Sequence, residues 1–432
     1  MLFALSGKAF SGLLNLLTLL LLTESLDTSD FAAYVRLTVA WGLPLVFFRP
    51  MGKAFVNASA SCGGFFSRLS LWSLYTRYVY FSTSVLFFLC PLLCLPIAYI
   101  LDLSESAICF ALFCYSKALL TNVYVYIESV CFSTRQQQVI ITGNILASCS
   151  QFCAALACVY TKSLNTFLIA SVVFQIPVIT MASFSLYKRS GGLAVNYSFY
   201  KRLINREKTT EIFHIHAKPL LLASSSAYFQ QSVINVLVTS EKFIDSMKMI
   251  VVCRKLFDMS NKFFVSLSHQ FINELVAAFK SEKRSFIFQK IFLARLAVAL
   301  IVTVVCLFYS VYSYGFNFSI EKALLVFIFT MVFMVRFFLN VGDSLCVAYE
   351  PQALYVSIIS SFLLMPAFIF VYDFSDNVLV WFSYLNMTYL VISALHFRRL
   401  CAKYCLLYEK KYFDIIALIS ISYTILILSY YH

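Results

Sequence analysis

Four ionisable residues recur every seven positions within one apolar stretch: Lys248, Lys255, Lys262 and His269. Seven residues make nearly two helical turns, so on a helix over 246–270 they share one face, drifting about 20° per step. At 1.5 Å per residue, Lys248 and Lys262 stand roughly 21 Å apart. Asp258 lies three residues after Lys255 and four before Lys262, in pairing reach of both. Arg254 is about 100° round the helix from Lys255. Such a ladder offers electrostatic attraction of an anion rather than covalent chemistry. Snorkelling to the interfaces accounts for Lys248 and His269 near the ends. It accounts poorly for Lys255 and Lys262, because one carboxylate can neutralise only one of them.

Sparser polar stripes accompany the ladder. Lys117, Thr121, Tyr124 and Glu128 follow an i, i+4, i+7, i+11 pattern, and Asn144, Ser148 and Gln151 as well as Arg336, Asn340 and Asp343 follow i, i+4, i+7. Arg36, Gln230, Gln231 and Asn235 complete the set. The Asn, Gln and Ser positions read as glue between membrane helices. Arg36, Lys117 and Arg336 read as cavity cations, with pairing to Asp343 as the alternative for Arg336. Counted within spans, the cations are Arg36, Lys117, Lys248, Arg254, Lys255, Lys262 and Arg336, against Asp258, Asp343 and the terminal Glu128. A positive lumen attracts phosphate or acidic sugars and has the wrong sign for a cationic drug. Glu128 and Asp258 are candidates for ion coupling, since a carboxylate in a low-dielectric site can load and release a proton. A structural salt bridge is the competing role for both.

The elements that carry these residues follow from composition. The chain has 432 residues, 61% hydrophobic and 12% charged, which excludes a soluble enzyme and a disordered chain. Its mean hydropathy is +0.84. Runs of about 20 apolar residues fit spans at 3–23, 31–50, 76–100, 105–128, 137–160, 165–187, 218–239, 246–270, 290–313, 321–345, 351–372 and 379–397. A further apolar run covers 414–431 and could form a thirteenth span. With the N-terminus in the cytoplasm, the inside loops hold 21 Lys and Arg and the outside loops hold three. That asymmetry is a strong positive-inside signal and also checks the span count. It divides the net charge of +13 into loop charge, which only orients the protein, and the few cations left inside the spans.

The expected organisation is an all-α polytopic membrane protein: a six-helix bundle at 1–187, a basic cytoplasmic linker at 188–217, a second six-helix bundle at 218–400, and a basic segment with an apolar helix at 401–432. The halves show a short repeat. Ser29-Asp30-Phe31 with Arg36 five residues after the Phe is matched by Ser240-Glu241-Lys242-Phe243 with Lys248 five after its Phe. Most of the 14 Cys lie in apolar runs and show no zinc spacing, so they read as small packing residues. No GxxxxGK[ST], GxGxxG after a strand, HExxH or GxSxG is present, and no outside loop is long enough for a catalytic domain. Aromatic and basic residues are embedded in spans, which argues against nucleic acid.

This pattern resembles the polysaccharide flippases of the MOP superfamily, closest in type to the O-antigen flippases (Wzx-type). The local likeness lies in the opening. Ser6-Gly7 starts the first helix, Ser29-Asp30-Phe31-Ala32-Ala33-Tyr34 takes the place of the family's acid–Phe–Gly–x–Tyr segment with Ala32 for Gly, and span two ends near Arg49-Pro50-Met51-Gly52. The resemblance implies a V-shaped, MATE-like transporter fold of two bundles in a bacterial inner membrane. It implies a substrate of undecaprenyl-pyrophosphate-linked oligosaccharide, moved from the cytoplasmic to the periplasmic leaflet by alternating access. No enzyme chemistry and no cofactor is needed, only a proton or sodium gradient or the membrane potential. A polysaccharide polymerase and a chain-length regulator are the expected protein partners. The headgroup contacts it suggests are Arg36, Lys117, Lys248, Lys255, Lys262 and Arg336. The competing readings are a MATE-like exporter of small solutes, a membrane-embedded polymerase or transferase of surface polysaccharide, and a non-transporting scaffold.

Overall fold

An apolar run that must satisfy its own backbone in lipid becomes a helix, and every described element with printed bounds is helical. The computed structural model describes residues 2–42, 45–61, 71–72, 74–85, 107–133, 137–190, 206–278, 284–315, 319–349, 358–359, 362, 377–404 and 407–431. Residues 86–100 of the span expected at 76–100, most of the span expected at 351–372, and the Gly191-Gly192 linker lie outside these residues. Six helices in the described part are long and apolar enough to cross a membrane: Ile141–Thr161, Leu164–Ser185, Phe288–Ser313, Ile320–Leu339, Val378–Leu395 and Lys410–Tyr430. Their outward faces are apolar, with Phe308, Tyr312, Leu418 and Ile425 all exposed, as lipid-facing surface requires.

The described chain divides into two units, Met1–Thr239 and Ser240–His432. In the first, Leu2–Ser25 runs along Gln137–Thr161, Leu45–Ser61 lies between Ala107–Ser133 and Arg206–Val238, and Gln175–Ser190 covers Ala107–Ser133 and Gln137–Thr161. In the second, Ile320–Tyr349 is central and touches Ile244–Ala278, Arg284–Tyr314, Val378–Tyr404 and Leu407–Tyr431.

The Asn, Gln and Ser positions do act as glue. Ser11 and Ser148 hydroxyls meet at 2.5 Å, Asn15 Nδ2 donates to Ser148 Oγ at 3.2 Å, Tyr124 donates to Asn144 Oδ1 at 2.9 Å, and Gln151 Nε2 reaches the Ser171 carbonyl at 3.5 Å. These bonds join four helices where apolar surface gives no driving force against lipid. The second unit relies on aromatic packing. Phe292, Phe337, Phe338, Phe397 and Phe413 form a chain of ring contacts, with Phe338 to Phe397 and to Phe413 both at 5.1 Å.

Each matched Phe of the repeat occupies the first turn of a helix or its 3₁₀ lead-in. Asp27 caps Thr28–Gly42, its Oδ1 accepting from Asp30 N at 2.7 Å, and Phe31 there is fully buried. Ser240 precedes the 3₁₀ turn Glu241–Phe243, which leads into Ile244–Ala278, and Phe243 is 2% exposed.

Three boundaries differ from the sequence reading. Span two was expected to end at 50, with Arg49 and Lys53 in a loop; instead, the helix Leu45–Ser61 runs through both. Hydropathy reports membrane thickness, whereas a helix continues as long as its side chains pack, and Ala54 and Phe55 are buried in a cluster with Tyr75. The span at 165–187 is two helices, Leu164–Val173 and Gln175–Ser190, meeting at Phe174. Pro177 has no N–H for the Val173 carbonyl, so the ladder fails one turn before it. The run at 414–431 is part of a 25-residue helix, Leu407–Tyr431. It packs on Val378–Tyr404 and is tied to it by Arg398 Nη2 and Asp414 Oδ1 at 3.0 Å.

Candidate functional site

The most concentrated charge among the described residues lies inside the second unit. Arg254, Asp258 and Asn261 follow i, i+4, i+7 on Ile244–Ala278 and therefore share one face. Asp258 Oδ1 lies 3.0 Å from Arg336 Nη1 on Ile320–Tyr349, and its Oδ2 lies 3.9 Å from Arg254 Nε. The Arg336 guanidinium is 5.4 Å from the Tyr389 ring centroid of Val378–Tyr404. From Arg284–Tyr314 comes Arg295, 1% exposed. Its Nη2 donates to Asn261 Oδ1 at 2.9 Å and to the Phe333 carbonyl at 2.6 Å, and its guanidinium stands 4.0 Å over the Phe333 ring. Arg295 and Arg336 are close enough for their charges to repel, as are Arg254 and Arg336. Asn386, one turn before Tyr389, is 1% exposed, and its amide makes no hydrogen bond among the described residues.

Three helices thus bring three guanidiniums and one carboxylate together, and a fourth adds Tyr389. This arrangement can hold an anion, because planar guanidinium donors match phosphate and carboxylate oxygens. It adds to Asp258, which the sequence places in reach of Lys255 and Lys262, a partner from another helix. The carboxylate bonds to Arg336 on Ile320–Tyr349 and approaches Arg254 one turn before it on its own helix. Arg336 bonds to Asp258, and the Asp343 side chain lies outside the described ones.

Sequence reasoning missed Arg295. It belongs to the expected span 290–313, only five residues from its start, and was left out of the tally of cations within spans. A strict count of every Lys and Arg between span boundaries would have included it. Arg254 was noted only as off the ladder, yet its face carries the contacts between helices.

The ladder itself is partly described. Lys248 and Lys255 are half-buried on Ile244–Ala278, and the Lys262 side chain lies outside the described ones. The first unit separates its cations from that cluster's kind of network. Arg36 Nε and Nη2 both donate to Thr239, to Oγ1 and to the carbonyl, each at 3.1 Å. Arg36 therefore sits at the C-terminal end of Arg206–Val238, where a cation complements the helix dipole. Lys117 is 6% exposed and its Nζ donates to Gln175 Oε1 at 2.5 Å, at the helix break above Pro177. Glu128 is half-buried toward the end of Ala107–Ser133 and lies within charge range of Arg49.

The Lys117–Gln175 bond makes a direct prediction. Gln175→Leu removes the acceptor from a buried ammonium, which costs about 1–3 kcal/mol when a buried donor is orphaned. Thermal unfolding in detergent is expected to shift down, and Lys117→Met on that background is expected to restore most of the loss. An unchanged midpoint in Gln175→Leu would show that the bond carries no weight.

No family model and no curated protein matches the chain. Solved structures do. An inward-facing multidrug resistance MATE family transporter of the MOP superfamily matches with a TM-score of 0.63 at 11% identity, covering 96% of this chain and 98% of that one. Its outward-facing conformation matches at 0.61 and 10%, covering 96% and 94%. The eukaryotic MATE transporter AtDTX14 matches at 0.51 and 14%, covering 97% and 96%. With its apolar helices and nearly full-length coverage, the chain is a multi-pass, all-α membrane protein with the fold of the MATE transporters.

Proposed function

We propose that the protein is a flippase that moves a lipid-linked anionic oligosaccharide across the membrane by alternating access. The observation that carries this reading is the sign of the charge: two guanidiniums on one carboxylate inside the second unit, with a third, Arg295, on Asn261 one turn away. Such a site favours a phosphate-bearing headgroup over a cation. The undecaprenyl-pyrophosphate-linked repeat unit of a surface polysaccharide fits this chemistry. Its pyrophosphate enters a hydrated cationic interior while the prenyl tail stays in lipid. Lys248, Lys255 and Lys262, one face round from the cluster, extend the cationic surface along the membrane normal. Arg36 and Lys117 are the cations that the first unit offers for the headgroup, and a proton or sodium gradient acting through Glu128 or Asp258 drives the cycle. On this reading the protein resides in a bacterial inner membrane, N-terminus inside, and works beside a polymerase and a chain-length regulator.

A second reading is a MATE-type exporter of a small solute, favoured by the fold likeness to multidrug transporters. The two separate in a strain lacking the gene. A flippase leaves lipid-linked repeat units on the cytoplasmic face, a polymerase leaves them unpolymerised in the periplasm, and a solute exporter leaves surface polymer normal. Lys255→Ala and Lys262→Ala are each expected to abolish surface polysaccharide at unchanged protein level. Normal polymer in both variants would sink the cationic-cavity reading.

A further inference from the structure

Arg336 engages Asp258 through Nη1 alone, and no hydrogen bond leaves its Nε or Nη2 among the described residues. The pair lies at the open edge of the cluster. The Arg336 side chain is 34% exposed and that of Asp258 22%, whereas Arg295 is sealed at 1%. The Asp258 carboxylate stands between two guanidiniums on different helices, 3.0 Å from Arg336 and 3.9 Å from Arg254. Both guanidiniums repel each other, and Arg295 adds to the field at Arg336. A group with more negative charge and more acceptor oxygens than a carboxylate would fit this gap better. A monovalent anion offers nothing that Asp258 does not already supply, and Asp258 is held in place at high effective concentration.

We propose that Asp258 is a built-in competitor for the anion site: a polyphosphate group displaces it from Arg336 and Arg254. The displacement also breaks the ionic tie between Ile244–Ala278 and Ile320–Tyr349. The carboxylate then has two roles. It excludes monovalent anions, and its release makes the arrangement of two helices depend on occupancy, since a ligand shifts a conformational equilibrium only through differential contacts. The proposal rests on reading the cluster as an anion site, and it is silent on the lipid or sugar attached to the phosphate.

The test is binding of inorganic pyrophosphate, with chloride as the monovalent comparison, to the full-length protein in nanodiscs. The wild type is expected to bind pyrophosphate and to ignore chloride. Asp258→Asn is expected to bind pyrophosphate about tenfold tighter, because the competing charge is gone, and to admit chloride. Arg336→Gln is expected to bind neither. Loss in Arg336→Gln with unchanged or weaker affinity in Asp258→Asn overturns the competitor role while leaving an anion site at Arg336. No pyrophosphate binding in either the wild type or Asp258→Asn overturns both. The wild type supplies a second measurement that needs no variant. Hydrogen–deuterium exchange with and without pyrophosphate is expected to change in peptides covering 254–261 and 333–340. Unaltered exchange in both peptides at saturating pyrophosphate overturns displacement.

Discussion

Arg295→Ala is expected to give the largest loss of stability of any single substitution in the second unit. The side chain is buried to 1% exposure, bonds to Asn261 and to the Phe333 carbonyl, and lies 4.0 Å over the Phe333 ring. Its removal leaves a cavity and strips a charged donor from Asn261 and the Phe333 carbonyl, a combined cost of about 3–5 kcal/mol. Thermal unfolding in detergent is expected to fall by about 10 °C, with poor recovery of monodisperse protein. Arg295→Lys recovers little. A lysine is a compact point charge that cannot cover a ring and reach two divergent acceptors at once. Arg295→Met fills the volume and falls between the two. A stable Arg295→Ala protein would mean that the three helices meeting at this side chain are held by their aromatic contacts alone.

Arg336→Gln is expected to give the largest loss of transport. Charge-assisted hydrogen bonds of this kind are worth about 1.5–3 kcal/mol, so headgroup capture falls at least tenfold, while the protein folds. Stability responds much less. Partial exposure screens the Arg336–Asp258 pair, and a double-mutant cycle is expected to return a coupling of about 1 kcal/mol or less. The contrast with Arg295 is the useful readout: one arginine fails by unfolding, the other by losing its ligand. If Arg336→Gln instead unfolds like Arg295→Ala and keeps its specific activity per folded molecule, Arg336 is a structural residue.

Composition and loop charge were enough to read the all-α membrane class, because lipid forces nearly every backbone group into helices and loop cations orient them. The polar stripe Asn144, Ser148 and Gln151 was equally legible, since hydrogen-bonding side chains in lipid-facing sequence must find partners on neighbouring helices. The thirteenth apolar run and the repeated Phe followed from local pattern as well. Each of these features depends on residues close together in the chain.

Which charges meet was decided only by the tertiary structure. Spacing showed that Asp258 could reach Lys255 or Lys262, since a sequence reveals only neighbours on its own helix. Its partner Arg336 is 78 residues away and reaches Asp258 because Ile320–Tyr349 packs against Ile244–Ala278. Arg295 gained its importance in the same way, through Asn261 and Phe333, which are 34 and 38 residues distant. The seven-residue ladder told which helix carries the cations. The crossing of four helices, each fixed by side-chain packing that no local pattern encodes, decided that the arginines one face away are the ones drawn together.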